Sequence, residues 1–162
     1  MASQRSRAQE IAVLEALQGF RLIFGSARRY DAAVRRDCGI PGSLLWALSE
    51  IARARDMSVT GLAVCMALHQ TTASNLVNAL FERELIHRAR DTLDRRMVRL
   101  RVSAKGQRAL RAAPRPHAGL LVDALERLDP KHLQQLRVGL RNLVAEMHRP
   151  DSRAAGETLL GE

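Results

Sequence analysis

The sequence predicts a mostly α-helical fold with one small β-hairpin. Apolar residues make up 46% of the 162 residues and aromatic residues only 3%, so the core must consist mainly of Leu, Val, Ile and Ala. This composition favours helix over sheet. Apolar residues recur every three to four positions along most of the chain, but alternate with a period of two over Met97–Val102. The length suffices for one domain with its own core.

Two helices are predicted in the first third of the chain. Residues 8–36 carry apolar side chains at helical spacing, and Gly39 and Pro41 end this helix. Pro41 also suits the first turn of a second helix over about 42–54. The resulting apolar stripes indicate that both helices pack against other parts of the molecule.

Two further helices are predicted before the hairpin. Ser58 suits the N-cap of a short third helix that ends near Leu68. The fourth helix runs from about Gln70 to Arg83. Its buried stripe is predicted to consist of Ala73, Leu76, Val77 and Leu80.

The hairpin is predicted to pair Leu85–Arg90 with Met97–Val102, and Asp91–Asp94 supply the turn. In the second strand, alternation places Leu100 on one face and the two arginines Arg99 and Arg101 on the other. A two-stranded hairpin is only marginally stable alone, so it must pack against the helices.

The C-terminal part is predicted to be helical again. Ser103 suits the N-cap of a fifth helix, which the prolines at 114 and 116 should interrupt before it resumes over about 117–128. Asp129 and Pro130 form a good cap and first-turn pair for a sixth helix over about 130–147. Residues 149–162 are expected to be a flexible tail.

The charge distribution indicates a polyanionic partner. The net charge is +9, and Arg83–Arg111 carry ten Lys or Arg against three Asp or Glu, an excess of seven positive charges. A helix followed by a short basic hairpin is the layout of a winged helix-turn-helix, which binds double-stranded DNA. A binder of membrane surfaces or other polyanions is the alternative that charge alone leaves open.

Several motifs resemble those of the MarR family of winged helix-turn-helix transcriptional regulators. They are the helix segment Thr71–Val77, the helix end and first strand Leu80–Ile86, the wing Asp91–Arg96, and the helix start Ser103–Gly106. The resemblance implies a homodimer with a DNA-binding core at about 42–102 and dimerisation helices at about 8–36 and 104–147. It also implies a repressor that leaves DNA when a small anionic aromatic effector binds or a cysteine is oxidised.

Three residues depart from the family pattern. Asn75 stands where arginine is frequent, so base preference is expected to differ. Glu84 replaces a usual glycine at the end of the recognition helix, and Thr92 stands where proline is common in the wing.

The predicted DNA contacts lie on the fourth helix and the hairpin. Short polar side chains near a helix N-terminus suit phosphate and base contacts, and guanidinium groups suit a narrow minor groove. A solvated helix face and a surface ion pair are the simpler explanations of the same residues. The DNA-binding residues are predicted to be Gln70, Thr71, Thr72, Ser74, Asn75, Asn78, Arg88, Asp94, Arg95 and Arg96.

Three other residues are candidates for roles in signalling or packing. Cys38 lies beside Arg35 and Arg36, whose charges are expected to lower its pKa, although an inert thiol is the simpler reading. Cys65 falls in step with apolar neighbours and is expected in the core. Trp46 is expected between helices one, two and five, where the resemblance implies a ligand pocket and packing is the alternative.

Catalysis and membrane insertion find no support in the sequence. The five histidines lack metal-ligand spacing, and no nucleophile elbow or phosphate-binding glycine loop occurs, so no metal, cofactor or enzyme activity is expected. No apolar run approaches the ~18 residues of a membrane span, and residues 1–10 lack a signal-peptide core. A cytoplasmic regulator is predicted, with a winged-helix protein-interaction module as the alternative.

Overall fold

The computed structural model describes the backbone of residues 2–54, 57–90 and 98–148, and the side chains of residues 7–54, 57–89 and 99–148. These ranges contain seven helices and two strands. In chain order they are α1 (Ala2–Cys38), α2 (Gly42–Arg53), α3 (Val59–Cys65), α4 (Gln70–Glu82), β1 (Ile86–Arg90), β2 (Val98–Val102), α5 (Ala104–Ala112), α6 (Leu120–Arg127) and α7 (Pro130–Met147). The predicted fold class, mostly helical with a small hairpin, is confirmed.

Helix α1 is longer than predicted at both ends. It ends at Cys38, where Gly39 adopts a φ of +70° and its amide donates to the carbonyl of Arg35 at 2.9 Å. Glycine tolerates this left-handed conformation without steric cost. The chain then turns at Pro41 into α2, close to the predicted boundary.

The start of α2 is capped from α1. Pro41 occupies the N-cap position and offers no side-chain acceptor. Instead, Asp31 Oδ1 accepts a hydrogen bond from the Gly42 amide at 2.7 Å. An amide that a helix leaves without an intrahelical partner is thereby satisfied, and the junction between the two helices is fixed.

The hydrophobic core surrounds α2. Leu45, Leu48 and Ile51 are almost fully buried. The surrounding elements α1, α3, α4 and both strands contribute further buried side chains, which include Val34, Leu62, Leu80, Ile86 and Leu100. Aliphatic side chains therefore form most of this core, as the composition predicted.

The hairpin is attached to the helices by backbone and side chains. Strands β1 and β2 pair antiparallel, with Ile86 opposite Val102 and Arg88 opposite Leu100. The Leu100 amide also donates to the Met57 carbonyl at 2.8 Å, just before α3. The prediction that the hairpin packs against the helices is confirmed, although β1 begins at Ile86 and not at Leu85.

Helix α5 begins and ends as its sequence predicts. Ser103 Oγ accepts from the Gly106 amide at 3.0 Å and caps the helix. The helix stops before Pro114, and α6 resumes at Leu120, three residues later than predicted. The Tyr30 hydroxyl lies within hydrogen-bonding distance of the carbonyls of Pro114 and Pro116, so α1 holds this interruption in place.

The chain forms two compact units, Met1–Asp123 and Ala124–Glu162. In the second unit, Asp129 Oδ1 accepts from the Lys131 amide at 2.9 Å, which confirms the predicted cap of α7. Residues 149–162, predicted as a flexible tail, lie outside the described residues. Within the described part of the chain, no helix combines the length and apolarity that crossing a membrane requires.

Candidate nucleic-acid interface

Helices α3 and α4 form a helix-turn-helix. Ser58 Oγ accepts from the Gly61 amide at 3.0 Å and caps α3, as predicted. The helix ends at Cys65, before the predicted Leu68, because Ala67 adopts a φ of +52° and the Leu68 amide returns to the Ala63 carbonyl at 2.9 Å. This turn separates α3 from α4.

The polar face of α4 points outward because its apolar face packs against the core. Ala73, Val77 and Leu80 are buried, so Asn75 and Asn78 point outward. The exposed side chains on this face include Thr71, Thr72, Asn75 and Asn78, and Ser74 is partly exposed. Gln70 is also exposed, and its Nε2 donates to Thr60 Oγ1 at 3.3 Å. The six α4 side chains predicted to contact DNA therefore all retain exposed surface.

The N-terminus of α4 is uncapped. His69 occupies the N-cap position without a side-chain hydrogen bond, and the first turn contains no acidic residue. The amides of a first helical turn have no intrahelical acceptor and carry a partial positive charge. The end of α4 nearest Thr71 and Thr72 is therefore suited to an anion.

The two faces of the hairpin differ in their environment. Cross-strand partners share a face, so Ile86, Arg88 and Leu100 lie together on the face that packs against the helices. Ile86 and Leu100 are buried there. The opposite face pairs His87 with Arg101, as the predicted alternation requires.

Arg88 contacts α4 twice. Its Nη2 donates a hydrogen bond to Asn78 Oδ1, and its guanidinium carbon lies 4.8 Å from the centroid of the Phe81 ring. A cavity of about 240 Å³ beside this contact is lined by Val59, Ser74, Val77, Asn78 and Arg88. The structure thus brings together three of the predicted residues, Ser74, Asn78 and Arg88.

The sequence did not indicate the role of Phe81 in this contact. Phe81 is 47% exposed, and its ring serves as a platform for the Arg88 guanidinium. The available signal was the alternation of side chains along a strand, since Arg88 lies two residues after the buried Ile86 and must share its face. The predicted wing residues Asp94, Arg95 and Arg96 lie outside the described residues.

The expected lowering of the Cys38 pKa is wrong. Burial raises the pKa of this thiol, and the neighbouring Asp37 carboxylate raises it further. Both neighbouring arginines form ion pairs with carboxylates. Arg35 pairs with Asp31 at 2.7 Å, and Arg36 pairs with Asp37 at 2.8 Å. The neighbouring arginines therefore do not lower the pKa of this thiol.

The prediction that Cys65 is a core residue is also wrong. Cys65 is exposed, and its thiol donates to the Leu62 carbonyl at 3.4 Å. Because α3 ends here, the following turn carries Met66 into the core in its place, with 4% of its surface exposed. Although the residue is exposed, neighbouring atoms partly shield its sulfur from water, and this desolvation and the charge of Glu50 raise the pKa of the Cys65 thiol.

Trp46 is half-buried against the core of the first unit. Its Nε1 donates to Glu50 Oε1, one turn later on α2, at 3.2 Å. The indole therefore has a hydrogen-bond partner on its own helix, and the ligand pocket at Trp46 stays a prediction. Among the described residues, no three His, Cys, Asp or Glu side chains are grouped to hold a metal ion.

A helix-turn-helix followed by an antiparallel hairpin that packs on the same core defines a winged helix-turn-helix. Residues 39–97, which contain α2 to α4 and β1, match the MarR family. This match confirms, over residues 39–97, the resemblance inferred from the sequence motifs. No curated protein matches the sequence.

Solved structures share the fold. A MarR family protein from Bacillus stearothermophilus is 24% identical, with 86% of this chain and 98% of that chain covered and a TM-score of 0.52. MepR, a transcription regulator of the Staphylococcus aureus multidrug efflux pump MepA, is 17% identical, with 80% and 96% covered and a TM-score of 0.54. The S. aureus MepR–DNA complex is 17% identical, with 80% and 95% covered and a TM-score of 0.57.

Proposed function

We propose that this protein is a homodimeric transcriptional regulator that binds a palindromic DNA operator. Helix α4 enters the major groove, and the hairpin contacts the flanking backbone and minor groove. The observation that carries the proposal is the exposed polar face of α4 beside a basic hairpin, on a fold shared with a protein crystallised on DNA. Repression is the mode of regulation that the family resemblance favours.

The electrostatics support this proposal. The uncapped N-terminus of α4 presents backbone amides, and exposed Arg88 adds a full positive charge beside Asn78 on the outer face of the same helix. Phosphate contacts of this kind set the position of a protein on DNA, while side chains of the groove helix read the bases. Asn75 is exposed in the middle of the helix and is the proposed reader.

The signal that releases the operator is proposed to be a small anionic aromatic ligand or oxidation. The half-buried Trp46 offers the ligand an aromatic surface. Burial and the Asp37 carboxylate raise the pKa of Cys38, so a smaller fraction of this thiol is in the reactive thiolate form, which favours the ligand over oxidation.

Selection of bound sequences from a random DNA pool tests the proposal. We expect enrichment of a palindrome whose half-sites lie about one helical turn apart. Affinity for the selected site should fall steeply with salt, since each neutralised phosphate releases counterions. No enrichment above the starting pool would favour a winged-helix protein-interaction module instead. Equal binding to DNA and anionic vesicles would favour a general polyanion binder.

A further inference from the structure

Arg88 occupies a position in β1 where the packing pattern calls for an apolar residue. It shares the inner face of the hairpin with Ile86 and lies opposite the buried Leu100. A guanidinium cannot enter the core without partners. Here it reaches across to α4 and rests on Phe81 while donating to Asn78 Oδ1.

We propose that Asn78 and Phe81 are positioning residues that hold the Arg88 guanidinium against α4, where it contacts a DNA phosphate at the junction of groove helix and hairpin. This inference rests on the proposed function and assigns Asn78 a different task from Asn75. A planar guanidinium can stack on a ring and still offer N–H groups to an anion. The Asn78 bond uses Nη2 and leaves further donors for phosphate oxygens.

The alternative is that Asn78 reads a base directly. Bidentate recognition of adenine requires the amide oxygen to accept from the base and the amide nitrogen to donate to it. Asn78 Oδ1 already accepts from Arg88, so a base would have to share this oxygen with the guanidinium or displace it. The side chain of Asn75, one turn earlier on the exposed face, has no hydrogen bond to another described residue and keeps both amide groups for a base.

A double-mutant cycle separates these roles. Asn78→Ala, Arg88→Ala and the double variant are compared with wild type for binding to the selected operator. Arg88→Ala should weaken binding about tenfold and reduce the salt slope by about one. Asn78→Ala should weaken binding by roughly three- to tenfold, and the double variant should bind no worse than Arg88→Ala.

Three further measurements make the result specific. Asn78 is exposed and alanine is the better helix former, so thermal unfolding should show Asn78→Ala folded. Arg101→Ala removes an equal charge from the outer face of the hairpin, and its effect should add to that of Asn78→Ala. Phe81→Leu keeps an apolar side chain without the ring and should weaken binding only while Arg88 is present.

Base preference supplies the second readout. A positioning role predicts that Asn78→Ala weakens all single-base variants of the operator equally. Additive effects of Asn78→Ala and Arg88→Ala, or relaxed choice at one base pair in Asn78→Ala, would overturn the inference while leaving DNA binding intact. Wild-type protein that selects no DNA would instead overturn the proposed function.

Discussion

Glu84 adopts a backbone conformation that its side chain disfavours. Its φ is +60°, between the end of α4 and the start of β1, where the family pattern has glycine. A left-handed conformation costs a non-glycine residue about 1–2 kcal/mol. Its backbone carbonyl accepts from Ser103 Oγ at 2.6 Å, which fixes the turn against the start of α5.

Glu84→Gly should raise the free energy of unfolding by about 0.5–1 kcal/mol. Relief of the backbone strain exceeds the extra chain entropy that glycine loses on folding. The exposed ion pair with Lys105, at 3.3 Å, contributes little. Urea unfolding measures the change.

Glu84→Ala is the matched control because it removes the same carboxylate but keeps a Cβ at φ +60°. It should be no more stable than wild type. An equal gain in both variants would show that the carboxylate, and not the backbone, causes the effect.

Asn75 is expected to determine base choice. Asn75→Ala should cost about 1–3 kcal/mol of binding free energy at the selected operator and relax choice at one base pair in each half-site. Helix α4 contains no Arg or Lys, so its bidentate contacts should favour adenine. Competition binding with single-base operator variants measures this preference. A guanine-dominated site that is insensitive to Asn75→Ala would contradict it.

The site was partly predictable from individual residues. Which α4 side chains face outward follows from the helical period once Ala73 and Val77 are assigned to the core. The direction of the Cys38 pKa shift was mispredicted because the charges of Arg35 and Arg36 were weighed without the carboxylates that pair with them, although Asp37 is next to Cys38 in the sequence. Burial, the larger cause of the raised pKa, requires the packed structure. Contacts across elements, such as Arg88 with Phe81, require the packed structure.

The junction of α1 and α2 depends on the Asp31 carboxylate. The hydrogen bond from Arg35, followed by that from the Gly42 amide, lowers the pKa of Asp31 below its ordinary value of 3.8. A carboxyl group with a lowered folded-state pKa stabilises the fold above its unfolded pKa. That contribution is lost as the pH falls through the folded pKa.

Asp31→Ala should therefore destabilise the protein near pH 7 by about 1 kcal/mol, the usual value of a helix cap. The difference from wild type should shrink as the pH falls below about 4. Chemical unfolding across this pH range provides the measurement. Asp37→Ala is the control, since Asp37 pairs with its neighbour Arg36 and caps no helix. A pH-independent difference for Asp31→Ala would exclude the carboxylate as its cause.

The wing is predicted to supply affinity more than specificity. Arg95 and Arg96 follow Asp94 at the expected hairpin tip, where they meet backbone and groove shape. Arg96→Ala should weaken binding to all sequences alike and reduce the salt slope by about one for each lost phosphate contact. Titrations at several salt concentrations test this. Unchanged affinity in both Arg95→Ala and Arg96→Ala would remove the wing tip from the mechanism.

Elements were predictable where local chemistry determines them. Ser58, Ser103 and Asp129 each cap the helix predicted from the sequence, because an N-cap needs only a nearby side-chain acceptor. The ends that differed depend on other factors. Helix α3 ends earlier than predicted because Ala67 adopts a left-handed backbone conformation. The sequence does not indicate this, since the position holds alanine and not glycine.

Two helices present apolar side chains that their own units leave exposed. On α1, Leu14 and Phe24 are 64% and 59% exposed. On α7, Val144 and Met147 are 51% and 73% exposed, within a stripe that begins at Leu133. Contiguous apolar surface in water is unfavourable, and a two-fold interface between identical chains is the commonest way to bury it.

We therefore expect an obligate homodimer. Each recognition helix contacts few base pairs, so useful specificity requires two of them about one helical turn (~34 Å) apart. Removal of residues 130–162 deletes α7 and should abolish both the dimer and DNA binding. Removal of residues 149–162 alone is the matched control and should leave both intact. Sedimentation at micromolar concentration and binding to the selected palindrome provide the measurements. A folded monomer that binds this palindrome with full affinity would show that the apolar faces of α1 and α7 serve another purpose.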